Sequence, residues 1–165
     1  MNKKIIICVA LLFTFLSREI YSQTEKRNKI ENSIGMFIGG ATNFNPSSTM
    51  PSLGIDYDFQ VPNMRKFLLL GLYYEYSIAT LGEHAFGAAI LLKPYKELTL
   101  GFGPGMTIKK NEEGGEYEKD FVIRISLSAP YNFGEWFVKP GLSFDFKSGE
   151  FGIVYGFVIG YSFVL

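Results

Sequence analysis

Cysteine is almost absent from this sequence, and its one occurrence, Cys8, lies in an apolar run near the N-terminus. Disulfides are therefore excluded as a source of stability. The small-residue pattern that marks a lipid-modified cysteine does not precede Cys8, which argues against a lipid anchor. After Leu16 there is no run of eighteen apolar residues, so no transmembrane helix is expected. Histidine is as scarce, with His84 alone. Metal-ligand spacing, a phosphate loop and a nucleophile elbow are missing too, so neither cofactor nor metal is expected.

What is present begins with an export signal. Lys3 and Lys4 precede the apolar run Ile5 to Leu16, and a short polar stretch ends in Tyr21-Ser22-Gln23. This layout is that of a cleavable signal peptide over residues 1–22, too short in its apolar part to span a bilayer as a helix. Removing Lys3, Lys4, Arg18 and Glu19 reduces the 16 basic and 16 acidic side chains to 13 and 15, a net charge of −2. Such a balance gives no electrostatic basis for binding nucleic acid. Residues 23–32 read as a flexible periplasmic tail, and 33–165 as one domain.

The final stretch, Glu150 to Leu165, defines that domain. Phe151, Ile153, Tyr155, Phe157, Ile159, Tyr161, Phe163 and Leu165 alternate with mostly small residues. A period of two over this length is wrong for a helix and long for an ordinary strand. It suffices to cross a bilayer obliquely, which takes roughly 9 to 11 residues of strand. The same alternation recurs over 33–42, 53–61, 68–77, 85–92, 98–108, 121–129 and 136–146, giving eight strands joined by hairpins. Turns are expected at Asn43 to Ser48, Pro62 to Lys66 and Pro130 to Glu135, with Lys109 to Lys119 the longest connection. The steps Pro104-Gly105 and Pro140-Gly141 each predict a bulge or bend.

Composition separates the two faces. One is large and apolar and includes Tyr57, Tyr74, Tyr76, Trp136, Tyr155 and Tyr161; the other is mainly Gly, Ala, Ser and Thr. Small residues suit the interior of an eight-stranded barrel, which has little room. Asp56, Asp58, Glu75, Arg124, Lys139 and Asp145 all share the small-residue face. A Lys or Arg facing lipid at the midplane costs roughly 2–4 kcal/mol, so the apolar face reads as the lipid side. The expected fold is all-β: an eight-stranded antiparallel up-and-down transmembrane β-barrel.

The export signal, the eight alternating segments and the aromatic C-terminal strand resemble the small eight-stranded outer-membrane barrels of the OmpA/OmpX type. The resemblance implies location in the cell outer membrane, a periplasmic N-terminus, and contact with outer-membrane lipid and lipopolysaccharide. It also implies delivery by the barrel-assembly machinery through Tyr161, Phe163 and Leu165, although family members commonly end in Phe. A monomer with a structural, membrane-integrity or surface-interaction role is expected, without nucleic acid and without enzymatic activity.

Within the lumen the expected polar network comprises Asp56, Asp58, Glu75, Glu97, Arg124, Lys139 and Asp145. Arg124 is expected between Asp56 and Glu75, and Lys139 beside Asp58 or Glu97, because buried charges persist only when paired. Three alternatives stand beside a plugged lumen. One is a narrow ion or solute pore; another is a lipid A-modifying enzyme; the third is a secreted soluble barrel with an apolar ligand inside. The enzyme would require His84 to meet Ser77 and Glu75, yet their parity places them on the opposite face. The acidic loop Glu112 to Glu118 reads as a solvated connection.

Overall fold

Alternating large and small residues are realised as β-strand along nearly the whole domain. The computed structural model describes residues 31–44, 47–61, 68–78, 82–95, 98–110 and 116–164. The strands are β1 (Glu31–Phe44), β2 (Ser47–Phe59), β3 (Leu68–Ser77), β4 (Glu83–Tyr95), β5 (Leu98–Lys110), β6 (Tyr117–Ser128), β7 (Tyr131–Phe133), β8 (Trp136–Lys147) and β9 (Glu150–Val164). All pairings are antiparallel, in the order β6-β5-β4-β3-β2-β1-β9-β8-β7, and a further pairing of β6 with β8 closes the ring. Eight long strands thus form a barrel, and β7 is a three-residue continuation of β6 that pairs with β8 alone. The signal segment and residues 23–30 of the expected tail lie outside the described residues, whereas Glu31 and Asn32 are already in β1.

The strands are steeply staggered. From Ile38 one route round the barrel passes Leu53, Tyr76, His84 and Ile108 to Lys119. The opposite route passes Phe157 and Pro140 to Ala129, ten residues further along the same line of chain. Closure with such a shift requires strands tilted by roughly 35–45° from the barrel axis. It also removes every long sheet edge.

Inside, aromatic rings lie over glycine. A Cβ on Gly156 would stand 2.8 Å from the Phe37 ring and 2.6 Å from the Gly39 Cα. On Gly87 it would meet the Tyr73 hydroxyl at 2.6 Å. Glycine at these positions lets large rings fill a narrow lumen without pushing the wall outward. Phe37, Ala41, Phe137, Val154 and Val158 form the buried apolar cluster along β1, β8 and β9.

Several strand ends differ from the sequence reading. Asn43 and Ser48 face each other in the β1–β2 ladder, and the Thr42 and Thr49 hydroxyls are 3.0 Å apart. Lys109 opposes Glu118, so β5 and β6 extend into the expected long connection, whose residues 111–115 lie outside the description. Tyr131 to Phe133 is strand, and the turn tightens to Gly134-Glu135, with Gly134 at φ 71°. A positive φ at that position is what a two-residue hairpin demands. Pro104 breaks the β4–β5 ladder without shifting its register, since pairing resumes from Gly105 to Phe102. The bulge falls instead between Leu92 and Tyr95, around Pro94. Pro140 pairs regularly with Phe157, and its carbonyl accepts from the Ala129 amide at 3.0 Å, where β6 gives way to β7.

Candidate functional site

The lumen carries ionic clusters at three heights. Near the middle, Arg124 on β6 faces Asp145 on β8 as a register partner. Its Nε donates to Asp145 Oδ1 at 2.7 Å and its Nη2 to Asp145 Oδ2 at 2.7 Å. Across the lumen, Nη1 and Nη2 donate to the two Glu75 oxygens at 2.7 and 2.9 Å. The Tyr73 ring lies 4.1 Å from the guanidinium carbon. One planar cation is thus forked onto two carboxylates and backed by an aromatic face, an arrangement that arginine's geometry allows and lysine's does not.

Towards the end where β1 begins and β9 finishes, hereafter the lower end, Lys139 on β8 donates to Asp58 at 3.0 Å and sits 3.4 Å from Asp56. Towards the opposite end, hereafter the upper end, Lys147 is paired with Glu83. Lys109 there lies 3.4 Å from Glu118 and 3.9 Å from Glu150. A cavity of about 90 Å³ below the Arg124 cluster is lined by Asp56, Asp58, Lys139, Thr99, Ser126 and Ser143, among others. A second, of about 20 Å³, lies above it beside Ser77, Glu83 and Lys147. Glu75 and Arg124 line both, so the bridged side chains form a septum between them.

The expected partners of Arg124 are corrected in one respect. Glu75 is one of them, but Asp145 takes the place assigned to Asp56. Tyr73, directly across the β2–β3 ladder from Asp56, inserts its ring against the guanidinium. Asp56 is left to Lys139 together with Asp58. Glu97 lies outside the described residues. The Lys147–Glu83 pair was not foreseen, yet continuing the alternation one step past each expected strand end places both side chains on the lumen face.

His84 is on the outer face and exposed, with its Nδ1 2.9 Å from the Tyr74 hydroxyl. Ser77 is buried in the lumen, 2.8 Å from the Ser52 hydroxyl. The structure thus keeps His84 apart from both Ser77 and Glu75. Among the described residues no group of three or more His, Cys, Asp or Glu side chains is arranged to hold a metal ion.

The outer face is apolar over its whole middle. Met36, Ile55, Leu72, Ile90, Phe102, Ile125 and Ile159 are all exposed there. Aromatics gather at its two ends. Where β1 begins and β9 finishes, Trp136 packs edge-on against Tyr161 at 5.4 Å, and the Tyr161 hydroxyl donates to Glu135. At the upper end Phe44 stacks on Phe151 at 5.5 Å, beside Phe144 and Phe146. Of the C-terminal residues singled out in the sequence, Tyr161 and Phe163 are in β9 and Leu165 lies outside the description.

A closed ring of eight antiparallel strands has counterparts among solved structures. The N-terminal β-barrel domain of Pseudomonas aeruginosa OprF superposes with a TM-score of 0.58 at 15% identity, covering 84% of this chain and 100% of that one. This chain has the fold of the small outer-membrane barrels. Neisserial surface protein A matches it with a TM-score of 0.58 at 8% identity, over 81% of this chain and 97% of that one. Ail, the attachment invasion locus protein of Yersinia pestis, gives 0.51 at 10% identity, over 84% and 100%. No known protein family and no curated protein matches the barrel in sequence.

Proposed function

We propose that the chain is exported and resides in the cell outer membrane as a monomeric barrel with a structural, membrane-integrity or surface-interaction role and a closed lumen. One observation carries this reading. Along the strand middles the outward positions are apolar and exposed, while the charged side chains sit inside and are paired. Water does not favour so large an exposed apolar surface, and lipid does. In this reading lipid and lipopolysaccharide surround the belt, and the barrel-assembly machinery reads the C-terminal strand. In this reading His84 is a residue of the outer face, bonded to Tyr74, while Ser77 is turned into the lumen beside Ser52.

The two cavities flanking Arg124 favour a second reading, a narrow pore interrupted by the septum. Among the described residues, the ionic clusters of the lumen hold seven acids (Asp56, Asp58, Glu75, Glu83, Glu118, Asp145 and Glu150) against four bases (Lys109, Arg124, Lys139 and Lys147). Any current through it would therefore select cations. Single-channel recording of the refolded protein in planar bilayers separates the two readings. A closed barrel gives no current above background; cation-selective steps would replace it with the pore.

A further inference from the structure

At the upper end of the β4–β5–β6 wall the charges are sorted by face. The register puts His84, Ile108 and Lys119 in one outward row, and Lys110 opposite Tyr117 just above it. His84, Lys110 and Lys119 are exposed. Among the described strand residues here, the acids Glu83, Glu118 and Asp120 occupy the alternate positions, where Lys147 holds Glu83 and Lys109 holds Glu118. Neither Lys110 nor Lys119 has an ion-pair partner among the described residues.

By strand geometry Lys110 and Lys119 are diagonal neighbours, about 7–8 Å apart at the backbone. His84 lies one intervening strand away from Lys119, about 10 Å. Two lysines placed together on one face repel each other unless an anion joins them. Directly below them the outward positions turn apolar, with Phe86, Met106 and Phe121 exposed. Tyr74 is bonded to His84, and the Tyr76 ring lies 4.9 Å from the imidazole, aromatic company typical of a headgroup boundary. At the opposite end, Tyr161 of the outer aromatic band is bonded to an acid, Glu135.

We propose that His84, Lys110 and Lys119 form a subsite for the phosphate of an anionic lipid headgroup, in the leaflet that meets the upper end. The site rests on the membrane reading above and gives it a specific lipid contact. Its height just above the apolar belt favours a lipid-borne phosphate over a dissolved one.

The test uses the mature chain refolded in detergent, with phosphatidic acid as probe against diacylglycerol of the same acyl chains. Native mass spectrometry reads the lipid retained, and the imidazole resonances of the single histidine report where it sits. Phosphatidic acid is expected to be retained about tenfold more than diacylglycerol, and to move the His84 resonances. The double variant Lys110→Ser/Lys119→Ser is expected to lose retention about fivefold, with the unboiled gel band of the parent. If the double change alters that band, Lys119→Gln alone is read the same way. Equal retention of the two lipids, unmoved His84 resonances, or a variant that keeps its lipid would overturn the site. Displacement by millimolar inorganic phosphate would overturn its assignment to lipid. A parent chain with no detergent-dependent band is a separate failure, that of the membrane reading.

Discussion

Met36 and Phe37 are consecutive in β1, yet Met36 is 64% exposed and Phe37 only 7%. The same division runs through every long strand, and it is the reverse of a water-soluble barrel's. In the proposed membrane setting the outer face accepts large side chains without neighbours, because lipid fills the space around them. The lumen accepts charge, because each cation there finds a carboxylate, and accepts rings only where glycine makes room. The outer face is thus set by its solvent, and the lumen by its own partners.

The largest effect is expected from breaking the lumen. Arg124→Leu leaves Glu75 and Asp145 facing each other without their cation, and removing one member of a buried ionic cluster costs about 3–5 kcal/mol. The temperature at which the compact unboiled band disappears should fall accordingly. The triple variant Glu75→Gln/Arg124→Leu/Asp145→Asn should recover much of that loss, since no bare charge remains.

The next effect breaks the outer face. Ile55→Arg, exposed near the middle of β2, should cost about 2–4 kcal/mol in a bilayer, measured by denaturant titration of refolding into vesicles. Tyr117→Arg at the upper end of β6 should cost no more than about 1 kcal/mol, since the penalty fades towards the interface. Equal costs at the two positions would contradict a lipid-covered middle.

A smaller effect sharpens the contrast between ring and glycine. Gly156→Val puts side-chain atoms against the Phe37 ring and the Gly39 backbone, an overpacking worth about 1–3 kcal/mol. Combining it with Phe37→Ala should lower the cost of the glycine change in a double-mutant cycle.

The alternation was enough to read the strands, their number and the two faces, because period two is a local property of the chain. Strand ends were less legible. Asn43, Ser48 and Asn132 are turn residues by composition, but they lie in strands because the opposite arm of each hairpin supplies a partner. A bulge or bend was expected at each Pro-Gly step, and the register shift of the β4–β5 ladder falls between Leu92 and Tyr95. A proline's missing donor interrupts a ladder locally, whereas a register shift depends on both strands. At the candidate site, parity placed Arg124, Glu75, Lys139 and Asp58 in the lumen. Which acid meets Arg124 depends on the β6–β8 register and on the Tyr73 ring, and neither is written in any one strand. The outward set of Lys110, Lys119 and His84 was hidden for a related reason, since it forms only when β5 and β6 extend into what composition marks as loop.

The central claim is that the apolar face points outwards into lipid. Its most direct test is to refold residues 23–165 with and without detergent and run each sample on a denaturing gel before and after boiling. The account predicts a faster unboiled band that forms only in detergent. A chain that folds and stays monomeric in plain buffer would contradict it, and would place the Tyr- and Phe-rich face inside.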